Sequence, residues 1–322
     1  PVLAATRVAP PAPETDRERL DRAAGLALAD AAARRGLGPP GGHARLFDQV
    51  EPLEAVAEDG GPWLLKSRLS SSGRHRRRFD RLSDADRAWI HAELDRCGGV
   101  ILEPWLKRRV DLSLVLGPDQ ARGTLLRFFT DDRGTYRGHL LGPAAAGMAR
   151  RWAEPLLRHP EGGLEGLARG LSELVRAQVP EGPVGVDGML ASPGRADPPG
   201  PPALVPVVEL NRRWTMGHLA LRLLRRHLAP GRVGLLWWVR RAELSGGRFV
   251  DLAGPLARHA PASRPSGRSR RLDGGVLPLG APGRARALLG LLAVDASPAA
   301  ALRRLIDVVP DLAAEPAADL LS

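Results

Sequence analysis

"VVELNRRWTMG", residues 207–217, ends an apolar stretch with a carboxylate and an amide, Glu209 and Asn211. A charge on such a strand is expensive unless it is paired or bound to a cation. Residues two apart on a strand point to the same face, so Glu209 and Asn211 share one. Just upstream, "GVDGML" at 185–190 puts Asp187 on a second apolar strand, and strand pairing can set it beside Glu209. Two carboxylates and an amide oxygen make a hard oxygen site of the kind that suits Mg²⁺ carrying substrate phosphates. The competing reading is that these groups pair with arginines across the sheet.

Working outward, "WLLKS" at 63–67 reads as a buried strand that carries Lys66, and a loop "SSSG" (Ser70, Ser71, Ser72, Gly73) follows. The chain has 47 Lys plus Arg, yet Lys66 and Lys107 are its only lysines. A lysine in an arginine background suggests a position where a compact ammonium is needed and a planar fork is not suited. An ammonium followed by small residues with free backbone N–H groups can surround phosphate oxygens. The glycine spacing of a Walker loop or a dinucleotide fingerprint is missing. Further on, "VILEPWL" at 100–106 is an apolar strand that breaks at Pro104. Such a hinge offers a nucleobase edge the carbonyl of Pro104 and the N–H of Leu106.

At 322 residues, with 43% hydrophobic composition, the chain can bury a sizeable core. Its formal net charge of +11 would ordinarily point to nucleic acid. Here the arginines are spread in ones and twos without interleaved aromatics, so background composition accounts for most of the charge. The clusters Arg74–Arg78 and Arg268–Arg271 both read as lying in loops, and the first would suit a phosphate-bearing ligand. The single cysteine, Cys97, excludes an intramolecular disulfide, and the absence of a membrane-length apolar run or a signal pattern suggests a cytoplasmic protein.

Periodicity and punctuation predict helices over 16–35, 82–97, 163–179 and 216–229, and from Pro298. Strands are expected at 110–117, in a hairpin over 123–142, at 182–190 and 203–211 (joined by the Pro/Gly-rich 191–202), at 231–244 and at 274–280. Residues 254–273 read as a loose basic linker, and 284–292 as a helix.

The order of these pieces resembles the ATP-grasp superfamily, which includes D-alanine:D-alanine ligase, biotin carboxylase and glutathione synthetase. The resemblance spans about 16–228. Its most specific part, "VVELNRRWTMG", looks like the superfamily's Glu-x-Asn-x-Arg strand. It implies an α+β ATP-grasp fold, two α/β subdomains whose antiparallel sheets enclose the nucleotide. Expected divisions are 1–45 (extended segment and helix), 46–106 (small subdomain with phosphate loop and hinge), 107–253 (large subdomain with metal site) and 254–322 (basic linker and helical segment). It further implies ATP held by Lys66, the loop Ser70, Ser71, Ser72 and Gly73, the hinge Glu103, Pro104 and Leu106, and Asp111 at the ribose. Mg²⁺ would sit on Asp187, Glu209 and Asn211, and Lys66 with Arg213 would stabilise the transferring phosphoryl group. The implied activity joins a small-molecule carboxylate to an amine through an acyl phosphate.

Two departures stand out. The family's N-terminal α/β domain has no counterpart before residue 16, so the chain is expected to be truncated, reduced or completed by another subunit. An earlier phosphate-contacting lysine is also missing, and Arg22 stands near its place. His218 reads as a solvated helix-start histidine, with a substrate-facing role as the alternative. Competing readings are a non-catalytic nucleotide-binding module and, more remotely, a basic nucleic-acid-binding protein.

Overall fold

The computed structural model describes residues 21–38, 44–58, 61–70, 75–119, 121–131, 134–192, 202–267 and 269–314. Helix α1 (Ala23–Arg34) leads into strand β1 (Arg45–Phe47), helix α2 (Val50–Glu58), strands β2 (Trp63–Ser67) and β3 (Arg76–Phe79), helix α3 (Asp84–Cys97) and strand β4 (Val100–Pro104). The four strands pair antiparallel in the order β1-β4-β2-β3. Phe47, Leu53, Leu65, Phe79, Ile90 and Leu102 form the core between this sheet and its two helices. Helix α1 stops as its sequence dictates: Gly36 takes φ +75°, a left-handed turn open to glycine, and Leu37 returns its N–H to Ala32.

Beyond the hinge come β5 (Lys107–Leu116), β6 (Thr124–Thr130), β7 (Tyr136–Leu141), α4 (Arg150–Leu157), α5 (Gly163–Gln178), β8 (Val184–Ser192), β9 (Ala203–Asn211), α6 (Met216–His227) and β10 (Val233–Arg240). After them follow α7 (Ala253–Arg258), β11 (Ala262–Ser266), β12 (Ser269–Pro278), β13 (Leu288–Asp295) and α8 (Pro298–Val308). The strands form one antiparallel sheet in the order β11-β12-β13-β10-β7-β6-β5-β8-β9. Period-2 alternation in β5 sends Val110, Leu112, Leu114 and Leu116 into a core with α1, α4 and α5. Asp111 and Ser113 are thereby left on the opposite face. There Val115, Leu126, Leu141 and Leu236 pack under α6, whose Ala220 and Leu221 point down onto the sheet.

Three sequence expectations need correction. Residues 254–273 are not a linker: they hold α7, the β11–β12 hairpin and the start of a sheet strand. The helix expected over 284–292 is a 3₁₀ turn at Pro282–Arg284 followed by β13. A fully buried strand shows an apolar run without alternation, which period alone cannot separate from a helix. The arginine cluster after the Ser/Gly loop is not all loop, because Arg76–Phe79 pairs with Trp63–Lys66 as β3. Arg270 and Arg271 likewise lie in β12. Arg74 and Arg268 fall outside the described residues, as do 1–20 and most of 191–202.

Candidate active site

Between the two sheets runs a cleft of about 1330 Å³, lined by β2, β3 and the hinge on one side and by β5–β9 and the start of α6 on the other. The residues expected to form a metal site meet here through strand register. Ser113, Asp187 and Glu209 are direct cross-strand partners on β5, β8 and β9. Ser113 Oγ donates to Asp187 Oδ1 at 3.1 Å, and Asn211 Nδ2 donates to Asp187 Oδ2 at 3.0 Å. Arg213 Nη2 donates to Asn211 Oδ1 at 3.0 Å. Burial first, then the charge of Glu209, pushes the Asp187 carboxyl up to about 7, against the hydrogen bonds from Ser113 and Asn211. Two carboxylates forced together in this way are what a divalent cation would relieve, and the donor set is all hard oxygen once the Asn211 amide turns its oxygen inward. Among the described residues there is no group of three or more His, Cys, Asp or Glu that could hold a metal.

Facing this row, Lys66 Nζ lies 2.6 Å from Glu103 Oε1, with both side chains largely buried. Arg22, at the start of α1, donates to the Ser67 carbonyl at 3.1 Å and approaches Glu209 Oε1 at 3.4 Å. Arg22 thus bridges β2 and β9. Of the loop residues, Ser70 is buried, while Ser71, Ser72 and Gly73 lie outside the described residues. The far end of that loop is fixed: His75, at φ +50°, accepts the Ser67 N–H through its carbonyl, and its Nδ1 lies 3.2 Å from Glu93 on α3.

At the hinge the Trp105 N–H is bonded to the Pro62 carbonyl, and the Leu106 carbonyl accepts the Arg108 N–H. Asp111 is buried on the cleft floor, takes a 2.7 Å hydrogen bond from Thr130 and lies 3.3 Å from Arg108 Nε. Burial raises its pKa, with Arg108, Thr130 and Arg127 opposing. Arg127 is itself nearly enclosed, and burial lowers its guanidinium to about 10.

The sequence reading missed Ser113, which the alternation of "VDLSLVL" could have placed beside Asp187. It also missed Tyr136 and His139. The Tyr136 hydroxyl and His139 Nδ1 are 2.6 Å apart, and His139 Nε2 is buried without a partner among the described residues. Desolvation lowers the His139 imidazole to about 3. His218 is neither solvated nor in the cleft lining. It is buried, its Nδ1 accepts the Thr215 N–H, and its Nε2 donates to the Leu116 carbonyl at 3.0 Å, clamping α6 to β5.

Solved structures share this architecture. N5-carboxyaminoimidazole ribonucleotide synthetase in its ADP complex matches with TM-score 0.53 at 14% identity, over 90% of this chain and 70% of that one. The Staphylococcus aureus N5-carboxyaminoimidazole synthetase with ADP matches with TM-score 0.53 at 11% identity, over 90% and 71%. The fold is ATP-grasp. Pyruvate carboxylase from Rhizobium etli matches this ATP-grasp chain with TM-score 0.54 at 17% identity, over 89% of this chain and 26% of that one. No protein-family model matches the sequence, and no curated protein does. Among the described residues no helix is long and apolar enough to cross a membrane.

Proposed function

We propose that this ATP-grasp chain is an ATP-dependent ligase that activates a substrate carboxylate as an acyl phosphate for attack by an amine or similar nucleophile. The observation that carries the reading is the register-aligned row Ser113–Asp187–Glu209, with Asn211 and Arg213, facing the Lys66 strand across one cleft. In this reading the Pro104 carbonyl and Leu106 N–H hold adenine beside Glu103, Asp111 takes the ribose, and Ser70–Gly73 cover the phosphates. Asp187, Glu209 and the Asn211 oxygen would hold Mg²⁺, which when bound supplies positive charge against the phosphate oxygens.

Chemistry then needs positioning and charge rather than a side-chain nucleophile. Lys66 leaves Glu103 for the phosphates, and Arg213 stabilises the group in flight. The substrate carboxylate oxygen takes the terminal phosphoryl group, with ADP leaving. The amine nitrogen next attacks the acyl carbon, the C–O bond to phosphate breaks, and the nitrogen loses its proton. Buried groups around Asp187 keep this exchange away from bulk water.

The test is a panel of carboxylic acids incubated with Mg·ATP and hydroxylamine. Acid-dependent phosphate release in step with hydroxamate formation, absent in Glu209→Ala, is the expected result. Nucleotide binding without any acid-dependent phosphate release would replace the ligase with a non-catalytic nucleotide-binding module.

A further inference from the structure

Glu93, on α3, is a buried carboxylate that the ligase reading does not use. Only 5% of it is exposed, and it stands outside the cleft lining. A buried charge is costly unless hydrogen-bonding partners hold it. Arg96, three residues along the helix, donates to Glu93 Oε2 from Nε at 3.1 Å and again from Nη2. His75 Nδ1 lies 3.2 Å from Glu93 Oε1, and Cys97 Sγ is 3.8 Å from Oε2. Burial would raise the carboxyl, but the hydrogen bonds from Arg96, Ser67 and His75 outweigh it and hold Glu93 below the ordinary glutamate value.

These partners join α3 to both flanks of the Ser/Gly loop. Arg96 Nη2 donates to Ser67 Oγ at 2.6 Å, and Ser67 is the fully buried last residue of β2. His75 stands directly before β3. The two flanks meet where the Ser67 N–H donates to the His75 carbonyl at 3.0 Å. Strand alternation puts the Ser67 side chain on the α3 side of β2 and the Lys66 ammonium on the cleft side. Glu93 thus sits behind the strand whose front carries Lys66. His75 also takes φ +50°, a left-handed backbone that costs a non-glycine residue energy and persists only where its surroundings fix it. An ordinary ion pair between residues three apart on a helix explains Arg96 with Glu93. It does not explain a buried carboxylate that also meets the strained residue at the far end of the loop.

We propose that Glu93 is a positioning residue for the phosphate end of the nucleotide site. From behind β2 it fixes Ser67 and His75 at one spacing, and so holds Lys66 and the two ends of the loop ready for phosphate oxygens before nucleotide arrives. The proposal rests on the nucleotide-binding part of the ligase reading, and Glu93 itself touches no substrate.

The test titrates Mg·ATP and adenosine into the full chain for wild type, Glu93→Gln and His75→Gly, with thermal unfolding as the check on folding. Glycine accepts the left-handed backbone at 75 and removes only the side chain. Glu93→Gln should weaken Mg·ATP binding at least about tenfold and His75→Gly at least about threefold. Adenosine, held at the hinge, should stay within about twofold of wild type in both. A merely structural loss would lower the affinity for both ligands together. Mg·ATP affinity within about twofold of wild type in both variants, or an equal loss for adenosine, overturns the proposal. If Glu93→Gln does not unfold cooperatively, His75→Gly, whose lost side chain is half exposed, alone carries the decision. Amide exchange at Ser67 reads the anchor without any ligand, and it should quicken at least about tenfold in both variants. A wild type that binds neither ligand while the variants show that quickening strikes the nucleotide reading and leaves the anchoring role of Glu93 standing. Unchanged exchange sinks the anchor.

Discussion

The two ends of the cleft solve the same problem, holding charge at an interface, in opposite ways. At the end proposed for the metal the polar groups are buried or half-buried, and strand register ties them to one another: Ser113 and Asn211 both donate to Asp187 across three adjacent strands. At the hinge mouth the guanidiniums of Arg78, Arg109 and Arg151 are exposed and rest on indole faces. A buried set is fixed before any ligand arrives and suits an invariant partner, such as a metal with a nucleotide. An exposed stacked set keeps its donors open and suits a partner that comes and goes.

That contrast can be broken by substitution, and the largest effect should come from beneath the metal end. Leu114 is almost fully enclosed on β5, and Leu114→Ala should lower unfolding free energy by about 2–5 kcal/mol in urea denaturation. A much smaller loss would mean that the row rests on a core able to collapse around the gap. Next, Asn211→Ala leaves a buried Asp187 oxygen without its donor and releases Arg213. It should reduce stability by about 1–3 kcal/mol and weaken metal-dependent nucleotide binding more than binding of the nucleotide without metal.

The third prediction concerns pH. Burial holds His139 far below the ordinary imidazole value, at about 3. The unfolded chain therefore binds a proton near pH 6.5 that the folded chain refuses. Stability from this site is complete above about pH 6.5 and is lost as pH falls toward 3, at up to about 1.4 kcal/mol per pH unit. His139→Gln should lose stability less steeply than wild type as pH falls through that window, read by chemical denaturation. Parallel curves for the two proteins would show that the imidazole titrates normally. The smallest effect belongs to the mouth: Arg78→Gln should shift stability by no more than about 0.5 kcal/mol, since an exposed stacked guanidinium holds little of the fold.

These positions also show what was legible in the sequence. Charges stranded in apolar runs announced Asp187, Glu209 and Asn211, because burial without partners is too costly to be accidental, and the structure aligns Asp187 with Glu209 on adjacent strands. Lys66 stood out against an arginine background and is in the cleft. Its ion pair with Glu103 was not foreseeable, since it depends on β2 pairing with β4. The C-terminal part was misread for two physical reasons. "LLGLLAVD" is buried on both faces and shows no alternation, and the Arg- and Pro-rich 262–272 gains strand structure only from hairpin pairing. His218 was misplaced because a helix-start histidine gives no local sign that a carbonyl on β5 awaits it. The Arg78–Trp105 and Arg109–Trp152 contacts join residues far apart in the chain, and no spacing rule reaches them.

The most direct measurement is a calorimetric titration of Mg·ATP into wild type, Glu209→Ala and Lys66→Ala. Saturable binding in wild type that both substitutions abolish is the predicted result. Wild-type binding that survives Glu209→Ala, or no binding by wild type at all, would contradict the assignment of this cleft to Mg·ATP.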